Sequence, residues 1–242
     1  MLKYIRGEIY RLLHKKSMYL FFAALAVGYL FVIYIRSGGF TEQSIVDEAI
    51  TFFFFLPAVV GGYFFSAVYT DDLNSKNLIS LVGFGIGKVK IVVSKFILVT
   101  LFNAVVFALI PLFHFAVFRL LGWSAATDTW YMVYALSLKY LLMTTAFSVL
   151  SGIVVYGLQR ATFAVVTYIL LAFNIVSGLL ATALKAFAPS LTGVLISGIT
   201  DNMMAGVINS KSLMMPIVEY VIYVGLAMAL SMIAFTKKEM EF

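Results

Sequence analysis

Gly83, Gly85, Gly87 and Lys88 raise the question of a phosphate-binding loop. Such a loop needs G-x-x-x-x-G-K-[ST], because its backbone N–H groups cradle phosphate and its hydroxyl holds magnesium. Counting back from Gly87, the first glycine position holds Val82, and Val89 follows the lysine. The spacing fails, and these glycines read as joints between two short helices. Other reactive side chains are scattered. His14 and His114 lie far apart, and no HExxH, GxSxG or paired intramembrane carboxylate is present. With no cysteine, disulfides, Fe–S clusters and thiolate metal sites are excluded. No catalytic residue, metal site or bound cofactor is expected on this chain.

Those residues sit in a chain that is 63% hydrophobic and only 12% charged, with a mean hydropathy of +1.04. A water-soluble domain of this size could not bury so much apolar surface, so lipid is the expected solvent. Continuous apolar stretches fall near 18–35, 49–69, 96–118, 131–158, 161–184 and 216–235. Each is about 20 residues, the length a helix needs to cross a core of about 30 Å. A barrel strand would alternate over about 10 residues instead. The expected fold is an all-α membrane protein with six transmembrane helices, forming one membrane domain over 1–242.

Residues 1–17, MLKYIRGEIYRLLHKKS, place Leu2, Ile5, Ile9, Leu12 and Leu13 at helical spacing. Lys3, Arg6, Arg11, Lys15 and Lys16 occupy other positions, as in an amphipathic helix lying in the interface near anionic headgroups. A plain basic flank of the first span is the alternative. The stretch is too long and too charged for a signal peptide, and no small-residue cleavage site follows. The net charge of +6 is read as topology rather than as a nucleic-acid surface. Lys76, Lys88, Lys90, Lys95, Arg160, Lys237 and Lys238 join the N-terminal cations on one side. Arg36, Arg119, Lys139, Lys185 and Lys211 fall on the other. The positive-inside rule then places both termini in the cytoplasm of a cell, expected to be bacterial, and an even number of spans satisfies it.

Two segments between spans stand out. In 71–95, Asp71 and Asp72 can cap a helix start, since carboxylates accept free N–H groups there. The apolar and basic residues that follow suit a short helix docking into a groove on a cytoplasmic partner, or else a solvated loop carrying topological charge. In 185–215, Pro189, Gly193, Gly198 and Gly206 cut an apolar stretch into pieces shorter than a span. Short re-entrant or interfacial helices on the outer face fit this pattern. A seventh crossing helix would put Lys237 and Lys238 outside, against the charge rule.

Charge within the spans is sparse, whereas ion-driven transporters place Asp, Glu or Arg near mid-bilayer. The nearest candidates are Glu219 and Lys139, about one and two turns in from the outer side. Snorkelling toward headgroups explains both, and an ion pair between them is the alternative. His114, Asn103 and Asn174 read as polar groups bonded across helices, with ligand binding the other option for His114. Driving energy is therefore expected to enter from elsewhere.

The layout resembles the permease subunit of the type-2 ABC exporter family. The matching parts are the amphipathic N-terminal segment, six spans, the cytoplasmic segment DDLNSKNLISLVGFGIGKVKIVVSKF, and the broken apolar stretch before the last span. Within that segment the resemblance rests on Asp71–Asp72, the apolar run 78–82, and the basic lead from Lys90 to Phe96 into span three. It implies a non-catalytic subunit whose separate cytoplasmic ATPase binds ATP and Mg2+. It implies a second permease copy or a sister chain. It also implies an ATPase contact through the N-terminal interfacial helix and through Asp71, Asp72, Asn74, Lys76, Leu78, Phe84, Lys88 and Lys90. Small single-domain permeases of this kind resemble those handling bacteriocins, lantibiotics or amphipathic toxin peptides. The substrate path would draw on Phe52, Phe55, Phe64, Phe65 and Asn174, residues that packing alone also explains. The rival reading is a stand-alone secondary transporter or channel.

Overall fold

The computed structural model describes residues 2–36, 42–75, 77–124, 126–209 and 212–238. Among them there is no strand. Five helices are long and apolar enough to cross a membrane, or six if one bent pair counts as a single span. This is consistent with the all-α membrane fold expected from the sequence.

The chain opens with α1 (Leu2–Leu13) and breaks before α2 (Lys16–Arg36). Helix α3 (Glu42–Leu56) starts about two turns before the apolar stretch that begins near 49. It runs on through a π-helical turn at Pro57–Gly61, α4 (Gly62–Phe65), a second π turn at Ser66–Thr70, and α5 (Asp71–Asn74). A short helix, α6 (Asn77–Gly83), leads to α7 (Lys88–Leu120). Between them Gly85 takes φ 79°, and Ile86 N–H bonds the Leu81 carbonyl at 3.1 Å. That left-handed residue and six-to-one bond form a Schellman stop, which glycine allows without strain.

Helix α8 (Thr127–Leu158) is the core of the bundle and packs on α3, α7, α9, α11 and α12. Several of its hydroxyls bond backbone carbonyls, while those of Ser151 and Tyr156 are buried with no hydrogen-bond partner among the described residues. Thr144 donates to Tyr140 O at 2.6 Å, Thr145 to Leu141 O at 2.9 Å, and Ser148 to Thr144 O at 2.8 Å. Others donate across helices, as Tyr220 does to Leu142 O at 3.0 Å. In an apolar solvent an unpaired polar group costs several kcal/mol, which each of these bonds avoids. The α8 helix ends at Gln159, which takes φ 52° in the left-handed region.

Span five is broken. Helix α9 (Ala161–Ala172) covers only about 18 Å at 1.5 Å per residue, and α10 (Ile175–Phe187) departs from it by 56°. Asn174 sits at the break with φ 56°, and Ser177 donates to its side-chain oxygen at 3.1 Å. The sequence reading carried this span unbroken to Leu184, because a left-handed asparagine inside an apolar run leaves no mark in hydropathy. A 3-10 turn (Pro189–Val194) and α11 (Ile196–Ile208) follow. Short helices thus occupy the stretch before the last span, and α11 packs on α8 and on α12 (Met214–Lys237).

Helices approach closely where span two meets α9. Pro57 has no N–H, which disrupts the regular ladder, and Tyr168 donates to its carbonyl at 2.8 Å. A Cβ on Gly61 would stand 2.1 Å from the Tyr168 hydroxyl oxygen and 2.4 Å from Thr144 Cγ2. Gly61→Ala should therefore lose about 1–3 kcal/mol through overpacking. Because Tyr168→Phe removes the nearest obstacle, the double variant should lose less than the sum of the singles. Strict additivity in detergent unfolding would show that the two do not touch.

Candidate functional site

The chain's ionic chemistry converges where α1, the end of span two and the start of α7 meet. Lys95 is 1% exposed. Its ammonium pairs with Asp72 and, at 3.0 Å, with Glu8. Arg11 reaches the same Glu8 oxygen at 2.8 Å, Asp72 at 3.7 Å and Asp71 at 4.0 Å. Lys15 pairs with Asp71 at 2.5 Å. Arg11 also donates to the Ala67 carbonyl at 3.3 Å, and Asn77, the first residue of α6, to Asp72 Oδ1 at 3.4 Å. The Lys95 ammonium lies over the Tyr4 ring at 5.5 Å. Three cations and three carboxylates thus neutralise each other, joining α1 to segments more than 50 residues further along the sequence.

Helical spacing builds the cluster. Glu8 and Arg11 fall at i and i+3 on one face of α1, and Lys15 follows in the turn between α1 and α2. Leu12 seals that face, with Ile5 and Ile9 half-buried beside it. Burial opposes ionisation of Glu8, but the Lys95 charge and the Arg11 hydrogen bond outweigh it and hold the carboxyl below its ordinary value of 4.5.

Several sequence expectations are corrected here. Asp71 and Asp72 cap no helix start: Thr70 before them is already helical and makes no side-chain cap. Their carboxylates are drawn instead to the cations of α1 and α7. Arg11 and Lys15 are spent on those carboxylates rather than on headgroups, while Lys3, Arg6 and Lys16 remain exposed. The segment 71–95 is mostly helix, and Lys88, Lys90 and Lys95 belong to the long α7. Lys88 is not free for a partner, since its ammonium donates to the carbonyls of Lys238 at 2.8 Å and Thr236 at 3.5 Å, closing the end of α12. Leu78 is buried. The surface left at α6 and its turn is Ser80, Phe84 (84% exposed), Val89 and Lys90. Lys76 and the side chain of Asn74 lie outside the described residues.

The aromatic path is also divided. Phe52 and Phe64 line an apolar cavity of about 380 Å3 between span one and spans two and three, with Phe22, Phe102 and Phe113. Phe55 is turned outward, Phe65 stacks on Tyr168, and Asn174 forms the break in span five. Lys139 pairs with Asp201 of α11 at 2.5 Å, not with Glu219. His114 is a structural tie. One ring nitrogen bonds the Tyr29 hydroxyl, and the other donates to the Ile45 carbonyl at 3.0 Å. Asn103 is buried, and its amide has no hydrogen-bond partner among the described residues. No group of three or more metal-ligating side chains occurs among them.

Glu8 and Asp201 were missed by the sequence reading. For Glu8 a signal existed, an acid three residues before Arg11 within an otherwise basic helix. No protein-family model matches the chain, and comparison with curated proteins finds no relative.

Removing one partner of a buried ion pair leaves an uncompensated charge, costing about 3–5 kcal/mol. Asp72→Ala should lose that much. Asp72→Ala with Lys95→Met should recover most of it, since Arg11 still holds Glu8. A double variant as unstable as the single would refute the pairing. Glu8, with its lowered pKa, contributes stability that is complete above pH 4.5 and lost as pH falls through its folded value. Glu8→Gln should therefore flatten the stability profile below pH 4.5, and an unchanged acid limb would assign that loss elsewhere.

Proposed function

We propose that this chain is the membrane-spanning subunit of an ATP-driven exporter of the type-2 ABC permease kind. It hydrolyses nothing itself. A separate cytoplasmic ATPase carries ATP and Mg2+, and a second permease copy or sister chain completes the assembly. The observation that carries the reading is the ion cluster tying α1, span two and α7 together directly behind α6. A force applied at α6 would reach two spans and the N-terminal helix at once. The distribution of cations favours a plasma-membrane location with both termini in the cytoplasm, on the same side as α6. The apolar cavity lined by Phe52 and Phe64 suits a hydrophobic or amphipathic substrate. A peptide is the class the resemblance favours.

A stand-alone secondary transporter is the second reading. What favours it is the burial of Asp72 and Lys95 at one end of the spans, the kind of pair that proton-coupled carriers use.

The chain, tagged and solubilised from its host, should capture a protein that photo-crosslinks to an azido-ATP analogue. Phe84→Asp with Lys90→Glu should reduce that capture at least tenfold, through loss of the exposed α6–α7 contact. Export of an amphipathic peptide from vesicles should require the captured partner and ATP. Uptake by the lone chain under a proton gradient, with no nucleotide-labelled partner, would favour the carrier reading instead.

A further inference from the structure

We propose that the pocket at the end of α7 remote from the ion cluster binds the headgroup and upper acyl chain of an anionic phospholipid. At 1.5 Å per residue, about 36 Å of helix separates Lys95 from Arg119. If Lys95 lies at one membrane boundary, Arg119 lies at the other.

The local sequence builds the pocket. Helix α7 ends in a second Schellman stop. Gly122 takes φ 86° and its N–H bonds the Arg119 carbonyl at 3.1 Å, while Trp123 N–H bonds the Phe118 carbonyl at 3.0 Å. This reversal folds Trp123 back beside the last turn of α7. From the start of α8, Trp130 stacks on Phe115 with ring centroids 3.5 Å apart and planes 18° apart. Both tryptophans of the chain thus border one cavity of about 430 Å3 with Arg119 and Ser124 at its polar side and Leu112 and Ala116 at its apolar side. That volume falls within the range of small-molecule sites, about 300–1,000 Å3.

The lining chooses the ligand. Arg119 is exposed and forms no salt bridge among the described residues, unlike Arg11, Lys15, Lys95 and Lys139. Its guanidinium fork suits a phosphate oxygen pair. Indole rings partition to the headgroup level, apolar body inward and N–H outward. The apolar side accepts the first methylenes of a chain. A soluble anion would gain nothing from Leu112 and Ala116, and a zwitterionic lipid would gain less from Arg119, because its own ammonium already offsets the phosphate charge.

The chain carries its own reporter, because both of its fluorescent indoles line the site. The protein is reconstituted in phosphatidylcholine vesicles containing brominated phosphatidylglycerol or, separately, brominated phosphatidylcholine. Quenching should favour the anionic lipid about fivefold, the factor that one cation is worth at an anionic surface. Arg119→Gln should abolish the preference while leaving quenching by brominated phosphatidylcholine unchanged. Arg119→Lys, which keeps the charge, should retain it. Equal quenching by the two lipids in the wild type would reduce the tryptophans to a general interfacial belt and overturn the proposal. So would a preference that survives Arg119→Gln, or one as weak in Arg119→Lys as in Arg119→Gln.

Discussion

The ammonium of Lys95, buried between Asp72 and Glu8, constrains more of this molecule than any apolar contact does. Desolvating each ion costs several kcal/mol, and the Coulomb attraction offsets that only when geometry is good. Its contribution is therefore register more than net stability. In a lipid solvent a leucine gains little by leaving lipid for another helix, so apolar side chains alone do not fix the rotation of α1 against the spans. Charges do, because each wrong rotation strands one of them.

The same logic repeats along the bundle. Span one, α2, is the least buried of the membrane-length helices apart from α12, and polar ties hold it at both ends. At one end α1 is clamped by the ion cluster. At the other, Tyr29 bonds His114, which in turn donates to Ile45 of α3. Between these ties lies the apolar cavity bordered by Phe22, Phe52 and Phe102. An element fixed at two polar points with a gap between them can admit an apolar guest without losing its place. On the far side α11 is held on α8 by Lys139 and Asp201, and α12 is closed by Lys88.

What the sequence made legible follows from which forces leave a local trace. Five of the six spans show directly, because hydropathy over about 20 residues is a local property. The amphipathic α1 was equally readable. The ion cluster was only half readable: Asp71 and Asp72 stood out, but whether they cap a helix or pair with Lys95 depends on packing between segments distant in the chain. Lys88 and Lys90 look like loop cations until α7 proves to begin at Lys88. Lys139 had only Glu219 within reach on the reading from sequence, and Asp201 of α11 was not foreseen because the position of α11 depends on the break at Asn174. That break is a single residue's φ, and no periodicity reports it.

The break-free run of span two carries a mechanical consequence under the proposed function. Helix α6 is only seven residues long and is followed by a glycine stop, so it cannot absorb a displacement by bending. Asn77 at its start already bonds Asp72, and Asp72 bonds Lys95, so motion of α6 is shared between the end of span two and the start of α7. Those two helices differ in how they can respond. Helix α7 is a continuous α-helix of 33 residues despite Pro111 and moves as a rod. Span two contains two π turns, at Pro57–Gly61 and Ser66–Thr70. A π turn holds one residue more per hydrogen-bonded loop than its neighbours, and such turns concentrate at functional sites. Passing that extra residue along the helix rotates the segment between the turns, which carries Phe64 and Phe65, without breaking the ends. Phe64 faces the apolar cavity and Phe65 faces Tyr168, so one local rotation would reshape the cavity wall and the contact with α9 together. The ion cluster holds the base against which that rotation turns.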